Sequence, residues 1–212
     1  MISIIIPACD EEKYILETID SIRKQTFKDY EIIVVCNGCN DKTFEVVKDK
    51  ADKVFNFEWR NIAKARNVGA KVAKGDKLVF LDADTKLIGN VLDKINTSDF
   101  YIGTCKFKPD TNEPKHKLFS QLKSNLFSPL LGISNGIIFC NKKDFTSFNE
   151  GMKKGEEGNM LRRMKRNGKF LVLDELVETS MRRYEKLGYI NILFYWTKER
   201  LKPTNDDYSV IR

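Results

Sequence analysis

The octapeptide KLVFLDAD, residues 77–84, has two possible interpretations, and the rest of the chain decides between them. A run of strand-forming residues ends abruptly in two aspartates separated by one alanine. Asp is a common turn former, so an isolated Asp-x-Asp triplet can simply mark the exit of a strand. Residues i and i+2 of an extended chain point the same way, however, and Asp82 and Asp84 can therefore present two carboxylates together. The surrounding elements decide between these interpretations.

Strand-like and helical patterns alternate around this stretch. Before residue 99, strands are predicted at 3–8, 31–36, 53–57 and 77–81, and helices at 12–25, 43–50, 61–74 and 87–95. Beyond it, strands are predicted at 99–107 and 134–140, and helices at 116–127 and 156–166. The early strands are almost continuously apolar, as expected where helices cover both faces of a parallel sheet. The predicted fold class is α/β, with a mostly parallel central sheet flanked by helices.

The bulk composition favours one folded domain. The chain has 212 residues, of which 42% are hydrophobic and 32% charged, which is ordinary for a globular protein. Because no run of 18 apolar residues occurs and no basic leader precedes the first strand, neither a membrane span nor a signal peptide is predicted. Five cysteines at irregular places argue against a secreted disulfide framework. The expected location is therefore cytoplasmic.

The positive charge lies late in the chain. Residues 142–212 carry 16 Lys and Arg against 11 Asp and Glu, whereas residues 1–141 carry 21 against 19. This surplus suits phosphate-bearing ligands, nucleic acid or an anionic membrane face. No nucleic-acid motif accompanies it, so nucleic acid is not an expected partner. Cys36 and Cys39 form a C-x-x-C motif, but its ligand set is incomplete, because the only histidine, His116, lies in an unrelated segment.

Polar residues follow three of the predicted strands. They are PACDEE (7–12), NGCND (37–41) and DAD (82–84), and ARNVGAKVAKGD (65–76) stands before the last of these strands. Ligands of parallel α/β sheets bind at the carboxyl ends of the strands. The order of these pieces closely resembles that of the family 2 glycosyltransferases. This resemblance covers about residues 2–185 and implies a GT-A fold and inverting transfer of a sugar from a nucleotide diphosphate donor.

The resemblance implies a metal-dependent donor site at these strand ends. Asp84 would ligate a divalent cation, Mn²⁺ or Mg²⁺, while Asp82 would contact the donor and help to hold the metal. A cation that bridges the diphosphate oxygens neutralises the departing charge, and carboxylate oxygens suit such a cation. The loop around the nucleoside is matched by Pro7, Ala8, Asp10 and Glu12. Glu12 equally suits simple helix initiation, because acids are favoured in a first helical turn.

Other donor-side residues carry alternative interpretations. Asn37 stands where most relatives have an aspartate that reads the pyrimidine base, so a UDP-sugar is expected only as the family default. Asp41 either contacts the donor or caps the next helix. Arg66 suits a phosphate or an acidic partner, because guanidinium binds such oxygens in pairs. Arg182 and Arg183 match a basic motif expected to grip the donor diphosphate, with a solvated cationic turn as the alternative.

The acceptor side has its own candidates. Gly155-Glu156-Glu157 matches the family's acidic pair at the start of a late helix, which implies that Glu157 is the general base and that Glu156 lies beside it. The alternative is a pair of acids favoured by the helix dipole. Ser134, Asn135 and Gly136 match the acceptor-binding loop. The expected acceptor is a glycan or a lipid-linked molecule.

The resemblance also predicts the organisation of the chain. Residues 1–98 are expected to form the nucleotide-sugar-binding half of a single domain, residues 99–188 its acceptor-binding half, and residues 189–212 a helical tail. Its aromatic and basic residues suit docking on the core or peripheral membrane contact. The Q-x-x-R-W signature of processive synthases is absent, so one transfer per binding event is expected. Two alternatives remain, a sugar-nucleotide binder without turnover and a nucleotidyltransferase. A nucleotidyltransferase normally has a glycine-rich loop after its first strand, and this sequence has no glycine there.

Overall fold

A computed structural model describes residues 1–152, 155–192 and 194 of the chain. Its strands are β1 (Ile2–Ala8), β2 (Tyr30–Asn37), β3 (Lys53–Phe57), β4 (Lys77–Leu81), β5 (Thr85–Leu87), β6 (Ile102–Pro109), β7 (Ile137–Asn141) and β8 (Phe170–Thr179). Its α-helices are α1 (Ile15–Arg23), α2 (Thr43–Val47), α3 (Ile62–Val72), α4 (Val91–Thr97), α5 (Pro114–Leu122), α6 (Ser128–Leu131), α7 (Glu156–Lys165) and α8 (Arg182–Leu187). A π-helical turn at Lys123–Phe127 joins α5 to α6.

The eight strands of the described residues belong to one sheet in the order β3-β2-β1-β4-β7-β6-β8-β5. Strands β3, β2, β1 and β4 run parallel, as do β6 and β8, whereas β7 is antiparallel to both its neighbours and β5 is antiparallel to β8. The predicted α/β architecture with a mostly parallel sheet is confirmed. The carboxyl ends of β1, β2 and β4 therefore lie side by side.

Every residue of β1 is buried. Successive residues of a strand point to opposite sides of the sheet, so the sheet is covered on both faces at this strand. Ile4 and Ile6 pack in the same cluster as the apolar residues of α1, whereas Ile5 packs in a second cluster with the alanines of α3. Gly69 of α3 allows this close approach, since a Cβ there would lie 2.3 Å from Cγ2 of Ile5. This two-sided burial explains why the strand reads as a continuous apolar run.

The predicted elements differ from the observed ones mainly where strand pairing overrides local pattern. The helix predicted at 87–95 begins only at Val91, because residues 85–87 pair with β8. The strand predicted at 134–140 begins at Ile137, after a turn in which Gly136 has a φ of 83°. Strand β8 was not predicted, since its sequence FLVLDELVET does not alternate regularly.

The predicted tail lies mostly outside the described residues. Residues 189–192 are helical, and the side chains of Ile190 and Phe194 are 68% and 71% exposed. Within the described part of the chain, no helix has both the length and the apolar character needed to span a bilayer.

Candidate active site

The carboxyl ends of β1 and β4 bring together acids and arginines from five parts of the chain. Asp82 and Asp84 follow β4 directly, and Asp82 N donates to the carbonyl of Gly136, which fixes the aspartates against the loop before β7. Lining the same edge are Glu11 after β1, Arg66 of α3, Glu156 and Glu157 of α7, and Arg182 of α8. Two arginines are thus shared by five carboxylates, which are Glu11, Asp82, Asp84, Glu156 and Glu157.

Arg66 pairs with three of these five carboxylates. Its side chain is only 2% exposed; Nη1 lies 2.8 Å from Glu156 Oε1, and Nη2 lies 3.1 Å from Asp82 Oδ1 and also pairs with Glu157. Its guanidinium lies 5.2 Å from the ring centroid of Phe148. Of the two partners that the sequence suggested for Arg66, the structure pairs it with acids. Arg66 therefore holds the start of α7 against the end of β4.

Arg182 pairs with the other two of the five carboxylates. Its Nη2 lies 2.7 Å from both carboxylate oxygens of Glu11 and 2.9 Å from Asp84 Oδ2. The guanidinium also stacks over the ring of Tyr14 at 4.4 Å from the centroid. The interpretation of Arg182 as a solvated turn does not fit these contacts. Arg183 lies close enough for its positive charge to act on Asp82, Asp84 and Glu157.

The two aspartates after β4 lack sufficient positive charge. Loss of hydration in the cleft and the negative charge of Glu157 raise the pKa of Asp82 to about 7, although Arg66 acts in the opposite direction. Loss of hydration also raises the pKa of Asp84, despite its pairing with Arg182. A raised carboxyl pKa means that the ionised form is under-compensated. The site therefore favours an additional cation.

The pKa values of the two glutamates at the start of α7 shift in opposite directions. Burial raises the pKa of Glu156, which is 8% exposed, and the pair with Arg66 only partly opposes this. Burial would also raise the pKa of Glu157, but Arg66, a 2.5 Å hydrogen bond from Ser134 Oγ, Arg183 and Lys123 outweigh it and leave that pKa lowered. Glu157 is thus ionised at neutral pH, and its side chain is 26% exposed.

Asp10 and its neighbours shape the loop after β1. Asp10 has a φ of 56°; its Oδ1 accepts from Asn40 N at 2.6 Å and its Oδ2 pairs with Arg60 at 2.5 Å. Arg60 also donates to the carbonyl of Gly38, whose φ is 71°. These bonds join the loops after β1 and β2.

Asn37 is buried at the end of β2, and its Nδ2 donates to the carbonyl of Ala8 at 2.8 Å. Pro7 and Ala8 are buried in β1. Asp41 Oδ1 accepts from N of Thr43, the first residue of α2, at 2.9 Å, and its Oδ2 accepts from Glu12 N at 3.1 Å. The structure therefore places these sequence-predicted residues around one pair of adjoining loops.

The loop before β7 separates its three predicted residues into different environments. Ser134 faces Glu157, as described above. Asn135 is fully buried and bonds Cys105 O at 2.8 Å through Nδ2, so its side chain fixes the turn inside the fold. Gly136 is required by space as well as by its φ, since a Cβ would lie 2.5 Å from Thr85 Oγ1.

Two residues that the sequence analysis left unassigned belong to this edge. Glu11 stands within the quoted PACDEE motif, so its position after β1 was a usable signal. No local sequence signal identifies Arg60, because its partner Asp10 is 50 residues away in the chain.

The carboxylate oxygens of Asp82 and Asp84 are suitable ligands for a divalent cation. Asp82 and Asp84 supply hard carboxylate oxygens, the type that Mg²⁺ and Mn²⁺ prefer, and both carry raised pKa values. Two protein carboxylates leave coordination positions for phosphate oxygens and water. These two side chains are therefore the ones that would hold the metal.

The sheet order and the site at its carboxyl edge place the chain among the Rossmann-like α/β proteins. A family model described as glycosyl transferase family 2 matches residues 3–131, more than half of the sequence, and the chain belongs to this family. The uncharacterized glycosyltransferase EpsJ of Bacillus subtilis is 29% identical over 134 residues. That match covers 59% of this chain and 39% of EpsJ.

Solved structures share the fold. S. aureus TarS (residues 1–349) in complex with UDP matches with a TM-score of 0.68 and 21% identity, over 93% of this chain and 65% of that one. The mannosyltransferase PcManGT of Pyrobaculum calidifontis, in complex with GDP-Man and Mn²⁺, matches with a TM-score of 0.67 and 17% identity, over 94% of this chain and 61% of that one. The predicted GT-A fold is confirmed. The chain spans about two fifths to two thirds of the length of these relatives.

Proposed function

We propose that this chain catalyses the inverting, metal-dependent transfer of one sugar per binding event from a nucleotide-diphosphate-sugar to a hydroxyl acceptor. The observation that carries this proposal is the set of five carboxylates around Arg66 and Arg182 at the carboxyl edge of the sheet. This arrangement supplies an under-compensated acidic site beside an ionised glutamate. Family membership supports a glycosyltransferase over a nucleotidyltransferase.

In this proposal residues 1–98 form the donor side, and Arg182 and Arg183 of α8 add positive charge to it. The loops after β1 and β2 would enclose the nucleoside, with Asn37 and Asp41 near its base and ribose. TarS binds UDP and PcManGT binds GDP-Man with Mn²⁺, so a UDP-sugar and a GDP-sugar are the first donors to test. A bound divalent cation would neutralise the developing charge of the diphosphate as a Lewis acid. Arg182 and Arg183 would share this role once their acidic partners bind the cation.

The acceptor side is residues 99–188, and Glu157 is the proposed base. Its ionised state and its bond from Ser134 Oγ support this, because they show a carboxylate that accepts from a hydroxyl. In one displacement the acceptor oxygen bonds to the anomeric carbon while the bond from that carbon to the phosphate oxygen breaks. The acceptor proton passes to Glu157, and the electron pair leaves with the nucleoside diphosphate. Arg66 positions Glu157.

A donor screen tests this function. The protein is mixed with UDP- and GDP-sugars, with and without Mn²⁺, and its thermal unfolding is followed. We expect one donor to raise the melting temperature only when metal is present. If no donor stabilises the protein under either condition, the donor site is refuted.

Product analysis separates the alternatives. Sugar transfer to an acceptor or to water releases a nucleoside diphosphate, whereas nucleotidyl transfer from a nucleoside triphosphate releases pyrophosphate. Asp84→Asn should abolish metal-dependent release, and Asp49→Asn, an exposed aspartate outside the site, should leave it unchanged. Donor binding without any release would identify a binder without turnover.

A peripheral membrane contact and a cytoplasmic location are the finer parts of this proposal. Ile190 and Phe194 are exposed and four residues apart, so they lie on one face if the helix continues. This suits a lipid-linked acceptor presented at a membrane surface. Sedimentation with anionic vesicles measures the contact. Ile190→Asp should lower the bound fraction, and an unchanged fraction would exclude this surface.

A further inference from the structure

A second cluster of ligand-type side chains lies away from the sheet edge. It consists of Glu113, which immediately precedes α5, His116 of α5 and Glu185 of α8. One donor atom from each residue lies within 4.8 Å of the other two. Glu113 and His116 are three residues apart, and Glu113 Oε2 lies 3.8 Å from His116 Nε2.

His116 gives the independent sign of a ligand. The residue is fully buried, and its Nε2 has no hydrogen-bond partner among the described residues. That atom lies 3.8 Å from Glu113 Oε2 and 3.8 Å from Glu185 Oε1, beyond hydrogen-bond distance of both. Buried polar atoms normally have partners, so an unpaired nitrogen between two carboxylates requires an explanation.

The other ring nitrogen suits a ligating histidine. His116 Nδ1 lies 2.5 Å from Thr111 Oγ1. If Nδ1 carries the proton and donates it to Thr111, Nε2 presents a lone pair towards two carboxylates, and a bound cation would satisfy all three groups. Metal-bound histidines characteristically use the second nitrogen in such a hydrogen bond, which fixes the ring.

We infer that Glu113, His116 and Glu185 form a Zn²⁺ site that links α5 to α8. One imidazole and two carboxylates, with water as a fourth ligand, are a normal zinc set, whereas Mg²⁺ prefers oxygen ligands alone. Zinc–ligand bonds of about 2.0–2.2 Å place tetrahedral ligand atoms about 3.3 Å apart. The glutamate side chains are 52% and 49% exposed, so small rotations close the 3.8 Å gaps.

The surroundings include one competing cation and one further polar group. Lys115 Nζ lies 2.8 Å from Glu113 Oε2, but its side chain is 62% exposed and can swing into solvent when a metal binds. Within the part of the chain that the structure describes, the buried Tyr189 hydroxyl also has no hydrogen-bond partner, and the Tyr189 and His116 ring centroids are 6.0 Å apart. Glu185 lies three residues after Arg182. A bound metal would therefore hold in place the helix that supplies arginines to the donor site.

Calorimetric titration of the full chain with ZnCl₂ tests the site. Asp84→Asn silences the proposed donor site, and Cys39→Ser removes the C-x-x-C pair. In this double variant we expect one equivalent of Zn²⁺ to bind and to raise the melting temperature. Millimolar Mg²⁺ should not displace it.

Ligand variants decide the assignment. Glu185→Gln and Glu113→Gln alter half-exposed side chains and should retain the fold, which circular dichroism checks, while weakening Zn²⁺ binding more than about tenfold. Glu45→Gln, an exposed acid on α2, is the matched control and should not weaken it. Co²⁺ should give a visible d–d spectrum without a thiolate charge-transfer band, and His116→Gln should abolish that spectrum. Absence of binding, or equal binding in Glu185→Gln, overturns the inference.

Discussion

The acidic side chains at the two ends of the parallel strands differ in how well neighbouring donors and cations compensate their negative charge. At the amino ends, Glu31 of β2 is 7% exposed and accepts from Ser3 Oγ at 2.7 Å, Lys53 Nζ at 2.9 Å and the Lys74 amide at 2.5 Å. At the carboxyl ends, five carboxylates share Arg66 and Arg182. One end has a fully compensated charge, and the other has an excess of negative charge.

The pKa values follow this difference. Burial would raise the pKa of Glu31, but its hydrogen bonds from Lys53, Ser3 and the Lys74 amide outweigh burial and lower it. Burial raises the pKa values of Asp82, Asp84 and Glu156, and their arginine partners do not offset it. The amino end is therefore built for stability. The carboxyl end retains the unfavourable charge that a cationic ligand would relieve.

The largest expected effect is on catalysis at the carboxyl end. Glu157→Gln removes the proposed base, and transfer should fall by roughly 10²–10⁴-fold. Donor binding should remain, because the proposed metal ligands are intact. Initial rates with a donor and an acceptor measure the fall. Glu156→Gln is the matched neighbour and should retain more activity; the reverse order would assign the base to Glu156.

The next largest effect is on folding. Arg66→Leu leaves Asp82, Glu156 and Glu157 without their shared cation, and the free energy of unfolding should fall by about 3–5 kcal/mol. Urea denaturation measures this. Arg66→Lys keeps the charge and should lose less. A loss below about 1 kcal/mol for Arg66→Leu would show that the carboxylates do not depend on this arginine.

A pair of matched substitutions should affect stability differently at neutral pH. Glu31→Gln removes an ionised group with good partners and should destabilise the fold by about 1–3 kcal/mol. Glu156→Gln removes an under-compensated charge and should leave stability equal or higher. Denaturation midpoints of the two variants test the comparison directly. Equal losses in both would contradict the distinction between the two ends.

The smallest effect is on pH dependence. Because the pKa of Glu31 is lowered from 4.5, its contribution to stability is present above that value and is lost as the pH falls through the folded pKa. Because the pKa of Glu156 is raised, its contribution is present below 4.5 and is lost as the pH rises through the folded pKa. Melting temperatures should show that Glu31→Gln flattens the pH dependence of stability below pH 4.5 and that Glu156→Gln flattens it above pH 4.5.

Much of the first half could be predicted because its elements depend on local pattern. The run KVFNF coincides with β3, and KLVFL coincides with β4. Strands β5 and β8 were missed, because three residues of Thr85–Leu87 carry little pattern and become a strand only by pairing with β8. Pairing across about 90 residues has no local signature.

The sequence predicted which residues form the site better than it predicted which of them pair with each other. The position of Asp82 and Asp84 after an apolar strand was sufficient to suggest paired carboxylates. It was not possible to foresee that Arg66 would pair with Glu156 and Glu157, 90 and 91 residues later, or that Glu11 would hold Arg182.

The sequence by itself determined the α/β class, the strand ends and the family resemblance, because apolar runs and turn residues act over short distances. The tertiary structure alone decided which acids share which arginine, and it brought His116 against Glu185. The physical reason is that the protonation and pairing of buried charges depend on distance and desolvation. Both are set by packing between segments far apart in the chain.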